Sequence, residues 1–161
     1  MSRRWIALAL AVSVSSLAAR AEDAAKPPLL DPRQEAAALS GTWDYATSNH
    51  TVSGPCPIGA PMKGQLVIAA EGDRATLSIV SGAVCSPASL CEFSGELTAT
   101  QMIVSNTDTV DDEGGTATNA VFLSFVALTE GFGKSSSRYV HPEGFECVWG
   151  HDLAVSRPPS E

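Results

Sequence analysis

Apolar and polar residues alternate along most of this chain, in short runs set apart by turn formers. Thr42-Trp43-Asp44-Tyr45-Ala46-Thr47 changes side at every step, as a half-buried strand does. Gly64-Gln65-Leu66-Val67-Ile68-Ala69-Ala70 and Arg74-Ala75-Thr76-Leu77-Ser78-Ile79-Val80-Ser81 flank Glu71-Gly72-Asp73, a hairpin pattern. Strands follow over residues 92–97, 101–106 and 117–127, the last two separated by the acidic turn Asp111-Asp112-Glu113-Gly114-Gly115. A final hairpin joins residues 136–140 to residues 145–157 through His141-Pro142-Glu143-Gly144. Short strands at close spacing with no helices between them predict an all-β domain of about eight antiparallel strands, either an up-and-down barrel or a β-sandwich. One helix is expected, opened by Asp31 as N-cap with Pro32 behind it and running to Leu39.

Closure separates the barrel from the sandwich. In an even-stranded up-and-down barrel the last strand lies antiparallel to the first. Setting Trp43 opposite Arg157 pairs Tyr45 with Val155, Thr47 with Leu153 and Asn49 with His151. The odd-numbered residues Trp43, Tyr45, Thr47, Trp149, Leu153 and Val155 then share one face, more apolar than the even-numbered Thr42, Asp44, Gly150, Asp152 and Ser156. Alternation in both strands agrees with the pairing that closure imposes.

The same geometry bears on the four cysteines. Cys147 falls at the far end of the last strand from Arg157, near the exit of the first strand, where Cys56 follows. This predicts a Cys56–Cys147 staple across the seam and a local Cys85–Cys91 bridge. The sequential pairing, Cys56–Cys85 with Cys91–Cys147, stays open, because spacing alone does not choose among connectivities. A zinc site is the other use for such residues, but the chain has no C-x-x-C pair and its histidines are poorly spaced for one.

A short helix, then Gly41-Thr42-Trp43 at the first strand and Arg157 at the end of the last, resembles the pattern of the calycins. These are the lipocalins, fatty-acid-binding proteins, avidins and bacterial metalloprotease inhibitors. The resemblance implies an eight-stranded barrel in which Trp43 lies across one end, covered by Arg157 in a cation–π contact. The chain departs from the lipocalins in lacking their long C-terminal helix and their T-D-Y signature.

The ends of the chain indicate its compartment. Arg3 and Arg4, the apolar run of residues 5–17 and Ala19-Arg20-Ala21 read as a cleaved export signal over residues 1–21. An arm and the short helix occupy residues 22–38, the barrel 39–157 and a tail 158–161. Removal of Arg3, Arg4 and Arg20 takes the net charge of −8 to −11. So acidic a chain, with its basic residues scattered, is repelled by nucleic acid. An even cysteine count in an exported chain fits disulfides, and the expected location is extracytoplasmic, a bacterial periplasm or the medium. Stable membrane insertion is not expected, since the strands are short and aromatic girdles are missing.

Candidate chemistry is sparse. There is no G-x-S-x-G elbow and no thiol to spare, so catalysis is not expected, nor is a cofactor. Of three histidines, His50 and His141 are expected in solvated loops and His151 on the inward face. Asp108, Asp111, Asp112 and Glu113 offer oxygen ligands for calcium, though without the spacing of a helix–loop–helix calcium site. The expected function is therefore binding, with a small apolar molecule or a protein as partner. Trp43, Tyr45, Trp149 and His151 are the candidate ligand residues. Two alternatives stand beside it: protease inhibition through the arm of residues 22–30, and an envelope interaction domain without a pocket.

Overall fold

The computed structural model describes residues 28–110 and 114–158. The expected export signal, most of the arm, the tail beyond Pro158 and three of the four calcium candidates (Asp111, Asp112 and Glu113) lie outside these residues. Eight strands form a closed antiparallel barrel in which each pairs with its neighbour in sequence and β8 returns to β1. The strands are β1 Gly41–Ser53, β2 Lys63–Glu71, β3 Arg74–Ile79, β4 Glu92–Leu97, β5 Met102–Thr109, β6 Thr116–Ala127, β7 Glu130–Val140 and β8 Glu146–Ser156. The barrel is the architecture expected, and the sandwich is excluded.

The seam has the register that alternation requires, with Tyr45 opposite Val155 and Thr47 opposite Leu153. It breaks after the Ser48–Asp152 pair and resumes at Thr51–Gly150. Asn49 and His50 thus oppose His151 alone, which corrects the expected Asn49–His151 pair. The extra residue is a β-bulge, and Asn49 carries the positive φ of 51° that asparagine tolerates better than most residues. The Asn49 amide fixes the bulge by donating to Asp152 Oδ2 at 2.7 Å.

The helix is shorter than expected, α1 spanning Ala36–Leu39. Asp31 does not cap it. Its carboxylate instead accepts from the Arg33 amide and guanidinium, closing a turn upstream. Strand β7 is longer than the pattern suggested, because Gly131 and Gly133 lie inside it. A Cβ on Gly131 would fall 2.9 Å from the Phe125 ring and 3.0 Å from Val155. Gly131 thus makes room for side chains of neighbouring strands, and Gly133 for the close backbone of Phe122, rather than marking a turn.

The barrel interior divides into two halves. Trp43, Ile68, Met102, Leu123, Phe125 and Val155 are buried toward the end where β1 starts and β8 finishes. That end is plugged. Leu39 and Ala36 of α1 are buried in the same core, and the Leu30 amide donates to the Phe125 carbonyl. The opposite end carries the two long connections, residues 54–62 and 80–91, together with the β5–β6 and β7–β8 turns. Both disulfides lie there. Cys56–Cys147 ties the first loop to β8, and Cys85–Cys91 closes a small ring in the second. Structural disulfides form and persist in oxidising compartments, which fits the extracytoplasmic expectation. No helix among the described residues is long and apolar enough to cross a membrane.

Candidate functional site

Trp43 sits at the plugged end, fully buried. Its indole N–H donates to the Leu39 carbonyl at 2.9 Å, and its ring packs 5.5 Å from Phe125. The Arg157 guanidinium lies 4.2 Å above the ring. The same guanidinium reaches the carbonyls of Ala38 and Ser40, so one cation covers the indole and satisfies acceptors at the end of α1. Arginine suits this position because its flat face can stack while its edge donates. Trp43 and Arg157 form a structural closure here.

The open half holds a cavity of about 430 Å³, within the range typical of small-molecule sites. Its walls differ. Leu66, Leu77, Ile79, Leu90 and Phe93, from β2 to β4 and their connection, make an apolar side. Thr47, Asn119, Ser135, Ser137 and His151, from β6 round to β1, put polar groups on the other, interleaved with Val121 and Leu153. Among the described residues no aspartate, glutamate, lysine or arginine lines it. Alternation explains the division, since β7 contributes small residues to the interior where β2, β3 and β4 contribute large aliphatic and aromatic ones.

Of the four candidate ligand residues, Tyr45 and His151 line this cavity. Trp43 lies beneath it at the plug. Trp149 is half-buried on β8 and donates its indole N–H to the Pro57 carbonyl at 2.8 Å, bracing the 54–62 loop rather than lining the cavity. Tyr45 is buried, and its hydroxyl exposes under 1 Å² and has no hydrogen-bond partner. Leaving such a group unpaired costs about 1–3 kcal/mol. Burial also raises the Tyr45 pKa, which holds the hydroxyl in its protonated, donating form.

The bulge determines what stands at the mouth. Without it, Asn49 would face inward opposite His151. With it, the inward parity of β1 switches, and His50 stacks on His151 with ring centroids 5.0 Å apart. His50 therefore belongs to a strand and not to the solvated loop expected for it. Its Nε2 shares a 2.9 Å hydrogen bond with Thr47 Oγ1, which accepts in turn from the Met62 amide. Burial, and then the neighbouring His50, lower the pKa of His151, while Asp152 opposes them. His141 lies in the β7–β8 turn as expected, its ring stacked on Phe145 at 4.4 Å. The break in alternation at Ser48-Asn49 was the available signal for the bulge.

Of the calcium candidates only Asp108 lies among the described residues, Asp111, Asp112 and Glu113 standing outside them. Asp108 accepts from the Ser89 hydroxyl and its neighbour's amide, which together lower its pKa. No group of three or more potential ligands there is arranged to hold a metal ion. The disulfide bonds are the pair predicted by closure, and the sequential alternative is excluded. A scan of protein-family models finds none that matches the chain, and a search of curated proteins finds no match either.

Proposed function

We propose that this is an extracytoplasmic, non-catalytic binding domain that holds a small, largely apolar molecule in the open half of its barrel. One observation carries the reading: a cavity of about 430 Å³ sits above a dry plug, lined mainly by apolar side chains and entered between disulfide-braced loops. A barrel meant only to fold has no use for an unfilled half, since voids in a core lower stability. The calycin-like features, Trp43 beneath Arg157 and an N-terminal segment closing the same end, support this reading.

N-phenylnaphthylamine, a neutral dye that brightens in apolar surroundings, tests it. Binding to the wild-type protein and loss of binding in Val121→Trp, which fills the cavity from β6, are expected. A folded wild-type protein that leaves the dye dark would overturn the reading. A second reading, docking of a protein partner on the open end, draws on the apolar rim of Ile58, Val80, Val84 and Phe145, with Val84 99% exposed. Ile58→Asp/Val80→Asp, at two rim residues outside the cavity lining, separates the two. The cavity reading expects dye binding to persist there, whereas a docking surface would be destroyed.

A further inference from the structure

The lining of the cavity says more about its occupant than that it is small. Taking this cavity to be a ligand site, we infer that the ligand is uncharged and two-sided, with an apolar face on the β2–β4 wall and a hydrogen-bond acceptor that meets the Tyr45 hydroxyl. Three observations converge on this class.

The first is charge. A charged ligand entering the cavity would shed its hydration with no opposite side chain to replace it, because its described lining contains no acid, lysine or arginine. His151 is the one lining side chain that titrates near neutrality, and its lowered pKa favours the uncharged ring. The second is the division of the walls. Leu66, Leu77, Ile79 and Phe93 can offer an occupant only dispersion and shape. Ser135, Ser137 and Asn119 can exchange hydrogen bonds with it. Asn119 is held in place by donating to Asn106 Oδ1 at 2.9 Å, and Asn106 in turn donates to the carbonyls of Leu90 and Glu92. The polar wall is thus a braced arrangement.

The third is Tyr45. Among the described residues it carries the one buried side-chain polar atom that lacks a partner. Native interiors pair such groups, so an orphan in the wall of a cavity points to a partner supplied from outside the chain. A protonated phenol can accept but donates more strongly, so the partner that answers it best is an acceptor: a ketone, ester, amide or ether oxygen. A bare hydrocarbon would leave the hydroxyl as it stands. A carboxylate would answer the donor but would bring a charge that nothing else in the cavity balances.

Three molecules of matched length separate these cases in competition with N-phenylnaphthylamine: methyl octyl ketone, decane and decanoate. With wild-type protein at neutral pH the ketone should displace the dye best. Its advantage over decane should fall by roughly tenfold in Tyr45→Phe, the size of one lost hydrogen bond in a dry site. Comparing the ratio between two proteins cancels the different water solubilities of the competitors. In wild-type protein the carbonyl stretch of the bound ketone should move to lower frequency and return part of the way in Tyr45→Phe. This infrared band needs only the wild type to be informative should the variant fold poorly. An unchanged ketone-to-decane ratio in Tyr45→Phe, or an unshifted carbonyl band in the wild type, overturns the role of Tyr45. Decanoate binding best overturns the uncharged class. Absence of dye binding to wild type defeats the cavity reading itself, so the two failures are distinct.

Discussion

At one end of the barrel Trp43 is pressed between Phe125 and Arg157 under a short helix; at the other, two loops are bonded covalently around a space. The plugged end is held by burial and dispersion, which need close contact on every side. The open end cannot use them without filling its cavity. Its order comes from cross-links, from the Asn49–Asp152 hydrogen bond and from the indole N–H of Trp149 on the Pro57 carbonyl. A barrel that must be both folded and partly empty can assign these duties to different ends. The division is not absolute, since Tyr45, Leu66, Leu77, Phe93, Val121 and Leu153 belong to the buried core and also line the cavity.

That comparison can be broken most forcefully at the seam. Replacing Cys56 and Cys147 together by alanine removes a link between residues 91 apart in sequence. It should cost about 4–5 kcal/mol through the entropy returned to the unfolded chain. Urea denaturation gives the loss, and the same change should weaken dye binding in the folded protein. Trp43→Ala should cost about 3–5 kcal/mol by opening a hole in the plug, read from the same denaturation curves, while the folded fraction keeps its dye affinity. If dye binding instead falls as steeply for Trp43→Ala as for Val121→Trp, the two ends are one cooperative unit and the division fails.

Smaller effects sharpen it. Tyr45→Phe removes an unpaired buried hydroxyl without changing shape, so the ligand-free protein should gain about 1 kcal/mol. A thermal midpoint below that of the wild type would show that the hydroxyl has a partner in solution. The smallest effect concerns pH. The His151 pKa is lowered in the folded state from its ordinary 6.5, so the unfolded chain binds the proton first. Stability is fully present above about 6.5 and is lost as pH falls through the folded value. The imidazole of His151 should be more than half neutral at pH 6.5 by its NMR shifts, and His151→Gln should flatten the acid limb of stability against pH.

The architecture was legible in the sequence because period-two alternation and strand closure test each other. One register had to satisfy both β1 and β8, and Tyr45 opposite Val155 did. The disulfides followed from the same register, since it sets Cys147 beside the exit of β1. The site was only half legible. Tyr45 and His151 obey simple parity, so their inward placement could be read. Trp149 obeys it too, but parity does not reveal that a loop carbonyl claims its indole. His50 was lost because a bulge is a local backbone choice that average alternation hides. The start of β7 was lost because nothing in the sequence shows that Gly131 faces the bulk of Phe125 and Val155 and that Gly133 lies against the backbone of Phe122.

The bulge at Asn49-His50 has a wider consequence. It lies beyond Thr47 and Leu153, so everything deeper in the barrel keeps its phase while the lip is rephased. Gaining or losing a single residue there acts as a frameshift in facing rather than in reading. It exchanges the side chains that stand at the mouth and leaves the floor as it was. Such a change would reach the Cys56–Cys147 staple, which lies on the same side of the bulge as the lip, while the Trp43 plug keeps its phase.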